Sequence, residues 1–136
     1  LKDRKDIRVV GDRFVFESEV LFPSGSATLT SEGLAAMDQL AIAISDLART
    51  IPPEIAWALQ VDGHTDIRPI ASYQFPSNWE LSTARAVSVV KYLVSRGVPA
   101  EHLVAAGHGE FQPLEKAVDE DSLRRNRRIE LKLTNR

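Results

Sequence analysis

With 136 residues, 43% of them hydrophobic and 26% charged, the chain has the size and composition of one globular domain with its own hydrophobic core. A net charge of -2 argues against a general nucleic-acid binder, and the lack of cysteine excludes disulfides and thiolate metal sites. No apolar run reaches the ~20 residues that cross a bilayer, and no signal-peptide pattern opens the sequence.

The chain starts at Leu1 rather than Met, so a fragment is expected, with a targeting or anchoring segment left out. Residues 1–11 are dense in alternating charge and read as a lead-in, with the domain proper at 12–136. Phe14, Phe16, Val20 and Phe22 alternate within a first strand from Asp12 to Phe22, broken near Glu17 to Glu19. Pro23-Ser24-Gly25-Ser26 is a turn by composition. A helix capped by Thr30 or Ser31 follows, its Leu34, Met37, Leu40, Ala41, Ile44 and Leu47 on one face, and Pro52-Pro53 ends it.

Ile55 to Val61 is a nearly continuous apolar strand, expected at the centre of a helix-covered sheet. A second helix opens on Ser77 or Asn78, turns Trp79, Ala86, Val89, Val90, Leu93 and Val94 inward, and stops at Gly97 and Pro99. Leu103 to Ala106 is a short third strand. After a long polar connection, Ile129, Leu131 and Leu133 alternate through a last, half-exposed one. The order β-α-β-α-β-β predicts an α/β sandwich, one mixed sheet covered by helices.

Polar residues crowd between the second strand and the second helix, where open α/β sheets tend to hold ligands. Arg85 shares a helical stripe with Leu81 and Val89, and a guanidinium beside a core is costly unless a carboxylate or ligand anion satisfies it. The nearest carboxylate candidate is Asp66, at the end of the preceding strand. The two are either the halves of a zwitterion-binding site or a structural ion pair.

Other chemistries compete. Asp62, His64 and Asp66 alternate, so an extended strand would aim all three the same way as a metal site, with His102 or His108 to complete it. A nucleophilic enzyme is disfavoured, because Ser82 and His64 have no elbow or oxyanion motif around them. Gly107-His108-Gly109 is too weak for a phosphate loop. The basic run Arg124, Arg125, Arg127, Arg128 lacks interleaved aromatics and reads as a solvated strand entry.

The helix Asn78-x-x-Leu81-Ser82-x-x-Arg85-Ala86-x-x-Val89-x-x-x-Leu93 resembles the signature helix of OmpA-like peptidoglycan-binding domains. Phe22 with Ser24, Ala27 and Leu29 resembles that family's first turn, and Gly63-His64-Thr65-Asp66 its G-x-T-D segment. Gly107-x-Gly109-Glu110 and Asn126-Arg127-Arg128-Ile129-Glu130 are similar to its later G-x-G-E and closing N-R-R-V-E strand. Within the family, D-G-H-T-D, R-P-I and F-P-S-N-W-E-L-S look most similar to periplasmic domains of flagellar stator subunits of the MotB type.

The resemblance implies a non-catalytic, cofactor-free domain that binds the peptide stem of peptidoglycan. It implies a periplasmic location, reached through an upstream anchor, and a possible homodimer. The family's acid and base for the diaminopimelate head group fall on Asp66 and Arg85, and Asn78, Thr65 and Leu81 belong to the same pocket. Ser24, Gly25 and Arg128 are implied to line it as well. Many relatives carry acidic residues or Asn in the turn that here reads Pro23-Ser24-Gly25.

Overall fold

The structure is a computed structural model that describes residues 7–10 and 13–135. Its strands are β1 (Ile7–Val10), β2 (Arg13–Glu17), β3 (Trp57–His64), β4 (Leu103–Gly107) and β5 (Arg128–Asn135). They form one mixed sheet in the order β1-β2-β5-β3-β4, antiparallel except for the β3–β4 pair. The helices are α1 (Ser18–Leu21), α2 (Ser31–Ala48), α3 (Asn78–Ser95) and α4 (Glu120–Asn126). The expected β-α-β-α-β-β order is present, with additions. β1 lies inside the stretch read as a lead-in, where Ile7, Val9 and Val10 supply the β-branched residues that suit a paired strand. The remainder of that stretch falls outside the described residues.

The core occupies one side of the sheet. Phe16, Trp57, Leu59, Val61, Ile129 and Leu131 meet Met37, Leu40 and Ile44 from α2 and Ala86, Val89 and Leu93 from α3. Thr30 and Ser77 are the caps, accepting from Gly33 N and Trp79 N. The sequence put Trp79 and Val94 inward on α3, yet both are exposed, at 51% and 40%, because the buried stripe is narrower than the apolar pattern.

Two further departures shape the site. The first strand stops at Glu17, and the helical turn α1 lets both Leu21 and Phe22 reach the core. The polar connection is shorter than expected, since α4 starts where Asp119 accepts from Ser122 N, with acids in its first turn and arginines in its last. The basic run is therefore a helix end, not a solvated strand entry.

Helix α3 is pressed onto the ends of β3 and β4 through two paired glycines, Gly63 and Gly107. A Cβ on Gly63 would lie 2.1 Å from the Ser82 carbonyl oxygen, and one on Gly107 would lie 2.0 Å from Thr83 Oγ1. This close approach brings the N-terminal half of α3, with Asn78, Leu81 and Arg85, beside the chain leaving β3.

Candidate functional site

Past His64 the chain leaves the sheet, and Thr65 and Asp66 enter a cavity of about 710 Å³. Its walls come from four places: the start of α1 with the turn after that helix, the loop after β3, the start of α3, and Arg127 with α4. Of the residues expected there, Ser24, Gly25, Thr65, Asp66, Asn78, Leu81 and Arg85 all line this one cavity. Gly25 holds the turn with a φ of +67°, a conformation that costs glycine little.

Arg85 is 5% exposed. Its Nε donates to the Ser26 carbonyl at 2.7 Å, its Nη2 to the Pro23 carbonyl at 3.2 Å, and its guanidinium carbon stands 5.1 Å from the centre of the Phe22 ring. No hydrogen bond of Nη1 is found among the described residues, and the side chain lies on the cavity wall. Burial, with Arg127 nearby, lowers its pKa to about 10, which leaves it cationic at neutral pH. No carboxylate pairs with it among the described residues. The structural ion pair between Asp66 and Arg85 is thus not what satisfies either group.

Asp66 has other partners. Its Oδ1 accepts from Arg68 N at 2.9 Å, while Oδ2 accepts from Arg68 Nε and Nη2 at 3.1 and 2.8 Å and from Arg127 Nη1 at 2.7 Å. Burial raises its pKa, but the bonds from Arg68 and Arg127 outweigh that and hold it below the ordinary carboxylate range. Arg127 is itself fixed by Glu19 and Glu120. Asn78 Nδ2 donates to the Arg68 carbonyl at 3.1 Å, and Thr65 Oγ1 to the Asp66 carbonyl at 2.9 Å, so the loop backbone is tied down.

Arg128 is a correction. It does not line this cavity but a second one, of about 630 Å³, on the other face of the sheet. There it is 3% exposed, bonded to Glu130, to the Asn126 carbonyl at 3.1 Å and to the Gln112 carbonyl at 2.7 Å. Its neighbour Arg127 takes the expected place. The signal was present in the sequence: counting back from Leu133, Leu131 and Ile129 reaches Arg127, while Arg128 keeps step with Glu130 and Lys132. Arg68, two residues past Asp66 in an irregular loop, carries no such periodic signal.

The metal reading fails on the same geometry. The strand ends at His64, so Asp66 turns into the first cavity while Asp62 and His64 border the second. Asp62 Oδ1 pairs with Gln60 Nε2 at 2.7 Å and His108 Nε2 at 2.8 Å, and the His64 and His108 rings stack 4.6 Å apart. Among the described residues no group of three such side chains is placed to hold a metal ion.

His64 is buried, and burial, with Arg128 beside it, lowers its pKa from 6.5 to about 4. The folded chain therefore binds fewer protons than the unfolded one between those values. Stability should rise with pH from about 4 to 6.5 and level off above. The size is on the order of 3 kcal/mol, at 1.36 kcal/mol for each pKa unit. Urea unfolding of the wild type and His64→Leu at pH 4.5, 5.5 and 7 checks this, since the slope belongs to His64 only if the variant loses it.

A buried carboxylate and a buried guanidinium line one cavity, set between the end of β3 and the start of α3. The chain belongs to the OmpA family, whose model matches residues 21–127. Its likeness extends to the MotB type: the crystal structure of a putative MotB like protein from Desulfovibrio vulgaris superposes with a TM-score of 0.77 at 30% identity, over 96% of this chain and 82% of that one. The cell wall anchor of the T6SS from Pseudomonas aeruginosa gives a TM-score of 0.76 at 30% identity, over 95% and 85%. Protein YtxE of Bacillus subtilis, itself uncharacterized, is 36% identical over 118 residues, 86% of this chain and 46% of that protein. The chain spans half or less of the length of the curated relatives it matches. Among the described residues no helix is long and apolar enough to cross a membrane.

Proposed function

We propose that this is a non-catalytic binding domain that grips the peptide stem of peptidoglycan and so tethers an envelope protein to the cell wall in the periplasm. The ligand element is the zwitterionic head group of diaminopimelate. One observation carries this reading: Arg85, bonded to two carbonyls and to no carboxylate among the described residues, lines the same cavity as the Asp66 carboxylate. The acid receives the ligand ammonium, and the base grips its carboxylate through charge-assisted hydrogen bonds. The relative described as a cell wall anchor supports the same role, as does the family's peptidoglycan-binding character.

The test is sedimentation of the domain with purified sacculi, with free meso-diaminopimelate as competitor. Wild-type protein should co-sediment and be released by the competitor. Asp66→Asn, which keeps the shape and removes the charge, should weaken retention by about tenfold or more. Retention equal to the wild type, with an unchanged circular dichroism spectrum, would rule out Asp66 as the ammonium site.

A further inference from the structure

The two arginines on Asp66 are held very differently. Oδ2 accepts three N–H groups, two from Arg68 and one from Arg127, and a carboxylate oxygen offers only about two lone-pair sites. An incoming ammonium therefore reaches this oxygen only if one guanidinium leaves. The Arg127 side chain is 16% exposed and is bonded to Glu19 and Glu120 as well. The Arg68 side chain is 55% exposed and, among the described residues, has one other carboxylate nearby, Glu120 Oε2 at 3.6 Å from its Nη1.

The backbone around Arg68 is pinned, by its N–H on Asp66 Oδ1 and by Asn78 on its carbonyl. Only the side chain is left to move, and Glu120, itself 65% exposed, offers it a second partner. We propose that the Arg68 guanidinium is a built-in competitor seated where the ligand amine binds, and that it moves from Asp66 to Glu120 as the amine arrives. This inference rests on the zwitterion-binding reading above and adds a residue that sets its affinity and selectivity. A ligand must outcompete a tethered guanidinium for Asp66. A neutral or acylated amine cannot do so, and a free ammonium can.

Apparent affinity falls with the fraction of sites whose seat is open. For a half-exposed ion pair, Arg68→Ala should tighten binding of meso-diaminopimelate by about two- to fivefold. Calorimetric titration of meso-diaminopimelate into wild type, Arg68→Ala, Asp66→Asn and Arg85→Ala provides the measurement. Tightening in Arg68→Ala alone supports the inference. Unchanged or weaker binding in Arg68→Ala, with Asp66→Asn and Arg85→Ala both impaired, overturns it and leaves the binding site itself standing. If the wild type does not bind, or Asp66→Asn and Arg85→Ala bind as well as wild type, the zwitterion reading fails first and the inference goes with it. A readout without ligand is the carbon NMR titration of the Asp66 carboxyl, whose midpoint should rise in Arg68→Ala. A midpoint equal to the wild type also overturns the inference, since Arg68 would then not be seated on Asp66.

Discussion

Arg85→Ala should abolish retention on sacculi, and Arg85→Lys should come close to doing so. The guanidinium uses two N–H groups on the carbonyls of Pro23 and Ser26 and keeps another edge for the ligand. A lysine ammonium has the charge but not the planar fork, and it cannot hold the turn and the ligand carboxylate in these positions together. Loss of one buried charged partner costs about 2–5 kcal/mol, a fall in affinity of roughly 30-fold to several thousandfold. Pro23 borders the cavity, where water can replace the guanidinium on its carbonyl, so the variant should stay folded. Titration with meso-diaminopimelate, alongside thermal melting, separates the two effects. A folded Arg85→Lys with wild-type affinity would show that charge alone suffices and would remove the planar guanidinium from the mechanism.

Gly63→Ala should be strongly destabilising. The added carbon would sit 2.1 Å from the Ser82 carbonyl oxygen, which belongs to helix backbone and cannot rotate away. Either α3 is pushed off the end of β3 or the strand bends, and both move Asn78 and Arg85 relative to Asp66. Overpacking against backbone at a helix–sheet contact should cost at least about 3 kcal/mol. For a domain of this size that lowers the melting temperature by about 10 °C or more. A melt within two degrees of wild type would show that the helix shifts at little cost and that the glycine is not what sets its height over the sheet.

Most of the fold is written in periodicity. Alternation marked β5, a continuous apolar run marked β3, and helical spacing marked α2 and α3, because each pattern follows from which side of an element meets the core. The caps Thr30 and Ser77 were legible for an equally local reason. What stayed hidden had no period to reveal it. Helix α4 is one of the shorter elements and is polar on most of its surface, so its caps were the sole signal, and they sat inside a stretch that looked like loop. β1 is four residues long behind a run of charges.

At the site, the acid, the base and the helix start were readable because a buried charge on an apolar stripe demands an explanation. The partners of Asp66 were not. That the carboxylate would face Arg68 and Arg127 rather than Arg85 depends on how an irregular loop and a helix end meet in space, and no one-dimensional pattern encodes that. Arg127 was within reach, since the same alternation that placed Ile129 in the core also points one residue before Arg128.

The neighbours Arg127 and Arg128 part ways at the start of β5, one guanidinium bonded to Asp66 and the other neutralising Glu130 behind the sheet. A one-residue slip of β5 would turn Glu130 onto the core face and strand an acid in the dark interior. The hydrophobic stripe would be turned inside out in the same step. Misthreading this strand thus carries two penalties of different origin, so alignment of the last strand is guarded even where salt or heat has weakened one of them.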